Sequence, residues 1–181
     1  MIQTKAIVLS SIKFGETSLI VRCYTQEGVH SYLLKGILKQ KKRSITPAHF
    51  QPLTQLEIIT TERNDGSLEY IKEAKVCFPY KKLQQSVIRS SVLFFLSEIG
   101  CSVLQEEHPN PSLFSFWEES LQWYDRAEYF ANFHLKFLVD LTLYLGVLPN
   151  TSAMELPYFD LEAGVFVAMH NGHSLMREEE S

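Results

Sequence analysis

Residues 4–25, TKAIVLSSIKFGETSLIVRCYT, hold the pattern that decides the fold of the first part of the chain. Two runs rich in β-branched and apolar residues flank a short polar segment that begins at Gly15. Runs of this composition, bounded by Gly and polar residues, are typical of β-strands. Two of them in close succession predict an antiparallel hairpin at the start of the chain.

Three further strand signals follow within the first 80 residues: VHSYLLK at 29–35, LTQLEIITTE at 53–62 and SLEYIKEAKV at 67–76. The last two flank Asp65-Gly66, a dipeptide that two-residue hairpin turns prefer. Five short strands with turn punctuation predict a small barrel, and we take it as one of the oligonucleotide-binding (OB) type. In such a barrel a short helix can occupy the connection between the third and fourth strands.

After Pro79 the spacing of apolar residues changes to the period of a helix. Residues 81–107 predict a first helix, because their apolar side chains fall on one broad face. Asn110 followed by Pro111 predicts the cap and the first turn of a second helix. Two helices therefore follow the strands directly.

A third helix is predicted from Asp125 and Glu128, which resemble a capping box, and it should end at Gly146. Beyond it, residues 157–168 predict a β-hairpin around Gly164. The predicted fold class is α+β. An OB-fold β-barrel occupies residues 1–78, and a mainly helical domain occupies residues 79–181.

The composition is that of an ordinary globular protein, with 45% hydrophobic and 21% charged residues in 181. No apolar run approaches the roughly 20 residues that span a bilayer, and the first residues lack a signal-peptide pattern. These observations predict a cytoplasmic protein. Cys23, Cys77 and Cys101 are far apart and show no metal-ligand spacing, so we expect three buried thiols.

Positive charge collects in KGILKQKKRS, residues 35–44. Residues 1–45 hold eight Lys and Arg against two Glu, a net +6, whereas the remainder holds nine against 19, a net −10. This asymmetry predicts a basic face for a polyanion, although charged loops are also often merely solvated. The predicted contacts lie on the second strand, the end of the third and the segment that follows: Arg22, Lys35, Lys39, Lys41, Lys42 and Arg43.

Two tyrosines lie on the predicted second and third strands. Tyr24 and Tyr32 either stack on nucleic-acid bases or belong to the core, and the sequence leaves both interpretations open. No catalytic motif is present: the chain lacks HExxH, GxGxxG, GxxxxGK[ST] and GxSxG. His170 and His173 are most simply part of a polar loop. We therefore predict no catalytic residue, no cofactor and no metal.

The pattern KAIVL with GETSLIV, then TxEG and KG before basic residues, resembles the amino-terminal domain of the RecO family. LKFLVDLTLYLGVLP, residues 135–149, resembles a helix of that family which ends in LG and then Pro. The resemblance implies an OB-fold and a helical domain in a non-enzymatic recombination mediator. It also implies binding of single- and double-stranded DNA, strand annealing, action with RecR, and loading of RecA onto strands coated by single-stranded-DNA-binding protein (SSB).

The same resemblance implies that the helix from Phe133 to Leu145 receives the acidic, hydrophobic carboxyl-terminal tail of SSB. Phe133, Lys136 and Phe137 are the residues expected there. Lys136 either meets the carboxylates of the tail or is an ordinary surface lysine whose stem covers apolar surface.

The sequence departs from the family in two ways. Many relatives carry a four-cysteine zinc module where this chain has a cysteine-free segment, so we expect a metal-free hairpin held by Tyr158, Phe159, Leu161 and Phe166. Relatives also usually continue for several tens of residues, so we expect a carboxyl-terminal truncation. The alternative function is that of a general RNA- or peptide-binding OB-fold adaptor without a role in recombination, because fold alone does not determine function.

Overall fold

The computed structural model describes residues 1–39, 45–61, 68–83, 85–104, 109–172 and 174–176. All five predicted strands of the first part are present, as β1 (Ile2–Phe14), β2 (Ser18–Thr25), β3 (Gly28–Leu34), β4 (Gln55–Thr61) and β5 (Tyr70–Val76). They form an antiparallel sheet in the order β3-β2-β1-β4-β5. The predicted first hairpin is confirmed, and Gly15 makes its turn at a positive φ of 61°. The Asp65-Gly66 turn lies outside the described residues.

The two edge strands of this sheet approach each other but do not form a continuous ladder. Among the described residues, a parallel bridge joins Tyr32 to Glu69, where the Leu33 N–H donates to the Glu69 carbonyl at 2.8 Å. The predicted fold class is confirmed, with one correction: the OB-type sheet is curled but is not a closed barrel. We call the gap between β3 and β5 the seam.

The inner face of the sheet carries the core of this region, which includes Val8, Val21, Cys23, Leu34, Leu56 and Ile58. Tyr32 belongs to the same cluster and is 3% exposed. Tyr24 is 2% exposed, and its ring lies 5.6 Å from that of Phe114. Burial raises the pKa of Tyr24 to about 12, so its hydroxyl stays protonated. Both tyrosines are therefore core residues, and neither offers its ring to a base.

The expectation of three buried thiols is only partly correct. Cys23 is buried and Cys101 is partly buried, but Cys77 is exposed. Cys77 is the residue directly after β5, and its backbone N–H still donates to the Gln55 carbonyl of β4 at 2.9 Å.

The helices are α1 (Val87–Val103), α2 (Pro111–Arg126) and α3 (Phe133–Tyr144), and a short 3-10 helix over Pro47–Phe50 lies between β3 and β4. The predicted cap of the second helix is confirmed, since the Asn110 side chain accepts from the Leu113 N–H at 3.0 Å. Within the described residues no helix combines the length and the apolar character needed to cross a membrane.

The predicted capping box at Asp125 and Glu128 is wrong. Asp125 lies in the last turn of α2, and α3 begins only at Phe133. The buried Asp125 carboxylate accepts instead from the backbone N–H groups of residues 81–83 at 2.8–3.0 Å. These N–H groups precede α1 and lie more than 40 positions away in the sequence, so a local pattern cannot indicate them.

Helix α1 lies closely against the sheet at Gly100. A Cβ atom at this position would come within 3.0 Å of Leu9 Cδ2 and 3.1 Å of Trp117 Cη2. Leu9 and Trp117 are fully buried, so neither side chain has space to move aside. Glycine is a poor helix former, but its lack of a side chain at position 100 is what allows α1 to pack there.

We expect Gly100→Ala to lower the free energy of unfolding by about 1 kcal/mol, although alanine is the better helix former. Overpacking costs about 1–3 kcal/mol, which exceeds the propensity gain of about 1 kcal/mol. Urea unfolding measures the difference, with Ser102→Ala, an exposed position on α1, as the control. A Gly100→Ala protein as stable as this control would contradict the close packing.

The chain divides into two compact units, residues 1–134 and 135–181. The second unit holds most of α3 and a small sheet in the order β7-β6-β8, formed by β6 (Tyr158–Asp160), β7 (Val165–Val167) and β8 (Ser174–Met176). The sequence pattern did not indicate β8. The domain boundary at residue 78 stays a prediction.

Asp160 organises the turn of the β6–β7 hairpin. Its buried carboxylate accepts from the N–H groups of Glu162 and Ala163, both at 2.9 Å, and from the Asn171 amide. The rings of Phe159 and Phe166 meet edge to face at 5.0 Å. Leu161 is 59% exposed, so its expected role in holding the hairpin is wrong. It lies in the turn, outside the strands.

Candidate nucleic-acid interface

The basic segment begins where β3 ends. Lys35 and Lys39 are both exposed and lie in a turn that immediately follows the strand. Gly36 adopts a positive φ of 68°, and the Lys39 N–H donates to its carbonyl at 3.2 Å. The Leu38 N–H donates to the Thr17 carbonyl at 3.0 Å, which ties the turn to the first hairpin. The structure therefore places Lys35 and Lys39 in one turn, at the end of the sheet where β3 stops.

The next three predicted contacts, Lys41, Lys42 and Arg43, lie outside the described residues, and their role stays a prediction. The described residues on either side of them are anchored. Ile37 is buried in the core of the sheet, and Ile45 packs against the same cluster. The basic run thus connects two points that are both held against the sheet.

Arg22 lies on β2, and its side chain contacts the carboxyl end of α1. Its guanidinium donates to the Cys101 carbonyl at 2.9 Å and to the Leu104 carbonyl at 3.4 Å. These carbonyls are at the carboxyl end of α1, where the helix dipole favours a cation. The structure accordingly places Arg22 at the contact between sheet and helix, and its role as a DNA contact stays a prediction.

Two residues that sequence reasoning missed lie beside Lys35. The Lys35 ammonium lies 4.9 Å from the centroid of the Tyr70 ring, on β5. Tyr70 and Lys72 line one cleft together with Lys35. The sequence shows no signal for this group, because β3 and β5 are separated by more than 30 residues and meet only through the curl of the sheet.

On the predicted tail-binding helix, the two aromatic residues are buried. Phe133 stacks on Tyr124 with ring centroids 4.1 Å apart, and Phe137 is 2% exposed. The Lys136 side chain is 72% exposed and forms an ion pair with Asp140, four residues on. The exposed apolar residues of α3 are Leu135, Val139 and Leu143. The sequence shows that these three residues are four positions apart and so share one face of the helix. It does not show whether that face is buried or exposed.

No group of three or more His, Cys, Asp or Glu is placed to hold a metal ion in the part of the chain that the structure describes. In the predicted polar loop that contains His170 and His173, the His170 and Tyr158 rings meet edge to face, with their centroids 5.6 Å apart. His173 lies outside the described residues.

These features define a class: proteins with an amino-terminal curled OB-type sheet, a basic edge after its third strand and a helical region that follows in the chain. Comparison with known families finds the same two regions in the same order along the chain. The model described as "Recombination protein O N terminal" matches residues 1–80, and "Recombination protein O C terminal" matches residues 84–165. The chain belongs to the RecO family of DNA repair proteins, and its function lies in DNA repair.

Relatives from several bacteria, each described as "DNA repair protein RecO", are similar over nearly the whole chain. The protein from Flavobacterium johnsoniae is 41% identical over 98% of this chain and 76% of its own length. That from Christiangramia forsetii is 44% identical over 92% of this chain and 70% of its own length. The relative from Phocaeicola vulgatus is 34% identical, covering 99% of this chain and 76% of its own length.

Proposed function

We propose that the protein is a non-enzymatic recombination mediator that binds single- and double-stranded DNA through the basic edge after β3. It promotes annealing and helps to load the recombinase onto SSB-coated strands. The observation that carries the proposal is the exposure of Lys35 and Lys39 at the end of an OB-type sheet, directly before Lys41, Lys42 and Arg43. The proposed domains are the DNA-binding sheet, residues 1–78, and the helical region, residues 79–181.

The physical mechanism is charge neutralisation. Lysine supplies point charges on flexible stems, which suit phosphates and do not discriminate between bases. Residues 1–45 carry a net +6 in a chain whose net charge is −4, so attraction to a polyanion is concentrated at this end. Neutralising the phosphates of two strands lowers the repulsion between them, and annealing becomes easier.

Recruitment to SSB-coated DNA is the role proposed for α3. Lys136 is exposed, and its ammonium can exchange Asp140 for a carboxylate of the SSB tail. Leu135 and Val139 offer apolar surface beside it, whereas the expected contacts Phe133 and Phe137 are buried. RecR is the second proposed partner. The proposed setting is the bacterial cytoplasm, at the nucleoid.

Fluorescence anisotropy with labelled single-stranded DNA across a salt series tests the proposal. If the edge neutralises about four phosphates, the slope of log affinity against log salt is roughly −2.8. A fourfold rise in salt then weakens binding about 50-fold. Affinity that is independent of salt would contradict a phosphate contact. Equal affinity for RNA and DNA of the same sequence would favour the adaptor function instead.

A further inference from the structure

The end of the β1–β2 hairpin carries apolar side chains that are open to solvent. Phe14 is 53% exposed and Ile12 is 59% exposed, and they lie two positions apart on β1, on one face of the sheet. Ile12 is paired with Ile20 of β2, which is half-buried on the same face. Single exposed apolar residues are ordinary, whereas a group on one face marks an interaction surface. We call Ile12, Phe14 and Ile20 the apolar strip.

The apolar strip lies on the outer face of the sheet, beside the end of α1. Leu19 belongs to the core on the inner face, so its neighbour Ile20 points to the outer face. Arg22 is two residues from Ile20 and shares this outer face, and its guanidinium donates to carbonyls at the carboxyl end of α1. The helix therefore ends over the row of side chains that holds Arg22, and the apolar strip lies nearer the hairpin turn.

The same hairpin end is bonded to the turn that begins the basic segment. Ser18 is paired with Phe14 across the hairpin, and the Ser18 hydroxyl accepts from the Gly36 N–H at 3.3 Å. Gly36 belongs to the turn over residues 35–39, which ends at the exposed Lys39 and leads into the basic run. The apolar strip and the start of the basic run are thus held next to each other by hydrogen bonds and strand pairing.

An exposed aromatic ring beside cations suits an unpaired nucleic-acid strand. Its bases stack on aromatic rings without regard to sequence, and its phosphates meet the cations. The run from Lys39 to Arg43 offers several cations in succession, which matches the repeated charge of such a strand. Glu16 is exposed in the hairpin turn and repels phosphate, so we place the phosphates on the side of Lys39.

We propose that one base of an unpaired DNA strand stacks on the Phe14 ring at the apolar strip, while the phosphates of that strand follow Lys39 and the basic run. This inference rests on the proposed function and deepens it, because it adds a contact that only an unpaired strand makes. In a duplex, neighbouring bases already cover each base face. Stacking leaves the pairing edge of the base open, so the bound strand can still meet its complement.

Anisotropy of the full chain with a labelled single strand, and with the matching duplex, across a salt series tests the inference. We expect Phe14→Ala to weaken single-strand binding about tenfold at every salt concentration. The slope of log affinity against log salt should stay the same, because stacking releases no counterions, and duplex binding should be unchanged. Tyr129→Ala, a 91% exposed aromatic residue between α2 and α3, is the matched control and should bind like the unaltered protein.

Phe14→Trp gives a direct readout of stacking. The indole keeps a flat ring at this position, so affinity for the single strand should be retained. A base stacked on the indole quenches its fluorescence, so the single strand should quench this variant more than the unaltered protein. The unaltered protein supplies the background signal of Trp117 and Trp123.

The outcomes separate the two proposals. Failure of the unaltered protein to bind either DNA overturns the proposed function and this inference together. Normal binding by the unaltered protein overturns the inference alone if Phe14→Ala behaves like Tyr129→Ala, or if it loses single strand and duplex equally. If circular dichroism shows that Phe14→Ala is unfolded, the Phe14→Trp fluorescence decides, and the absence of extra quenching overturns the inference. Loss of binding to an acidic, apolar peptide in Phe14→Ala, with DNA binding intact, would assign the apolar strip to a protein partner and overturn it as well.

Discussion

Changing Lys39, Lys41, Lys42 and Arg43 to Glu is expected to abolish DNA binding while the protein stays folded. The four substitutions remove four positive charges and add four negative ones, so the basic edge comes to repel phosphate. If about four phosphate contacts are lost, affinity at low salt falls by at least about 100-fold. Anisotropy with labelled single-stranded DNA measures the loss, and circular dichroism checks the fold.

The matched control separates a local site from the effect of net charge. Lys41→Glu with Lys42→Glu changes the net charge by the same amount as Lys75→Glu with Lys81→Glu. Both residues of the second pair are exposed, one on β5 and one before α1. We expect only the first pair to lose DNA binding strongly. Equal losses would show that the protein attracts DNA through its overall charge and has no dedicated edge.

The proposed SSB contact provides a second readout of the same variant. A peptide with the acidic, hydrophobic SSB tail should still bind the fourfold Glu variant, because Lys136 is unchanged. Lys136→Glu should show the opposite behaviour, with DNA binding retained and peptide binding lost. Loss of both activities in the fourfold variant would indicate one shared site or a damaged fold.

Asp125→Ala is expected to destabilise the first unit by about 3 kcal/mol, which corresponds to a fall in Tm of about 10 °C. The carboxylate accepts from the backbone N–H groups of Lys81, Lys82 and Leu83. Alanine would leave these three backbone donors without their acceptor. Donors that lose their partner in a buried environment lower the stability of the folded state. Thermal and urea unfolding measure the change. Asp140→Asn, at an exposed ion pair of α3, should have little effect.

The contribution of Asp125 should also depend on pH. Burial raises the pKa of its carboxyl group, but the three backbone N–H donors and the Arg89 charge outweigh burial and lower the pKa below its ordinary value. The ionised group therefore stabilises the folded state above the unfolded-state pKa of about 3.9. This stabilisation is lost as the pH falls through the lower pKa of the folded state.

Asp125→Asn isolates the charge, because the amide keeps one acceptor oxygen and does not titrate. The difference in stability between the unaltered protein and Asp125→Asn should be constant near neutral pH and should shrink below about pH 4. A difference that stays constant down to pH 2 would show that the carboxylate contributes only through its shape.

Much of the fold could be predicted, because strands, turns and helix caps depend on residues that are close together in the sequence. Runs rich in β-branched and apolar residues, with the turn glycine at position 15 between them, indicated the first hairpin, and all five strands lie where their composition placed them. Asn110 and Pro111 start α2 as expected, since a cap satisfies donors only three residues away. The family resemblance also arose from such local patterns at the start of the chain, and the comparisons bear it out.

What the tertiary structure decided involves residues far apart in sequence. Asp125 matches the sequence pattern of a local helix cap, yet its carboxylate accepts hydrogen bonds from backbone N–H groups more than 40 residues earlier in the chain. Tyr24 and Tyr32 suit either a core or a base-stacking surface, and only the sheet and helices that cover them decide for the core. The cleft of Lys35, Tyr70 and Lys72 exists because a curled sheet brings β3 to β5 without closing. Local propensity acts over a few residues. These contacts depend instead on which surfaces, formed by residues far apart in the sequence, pack against each other and exclude water.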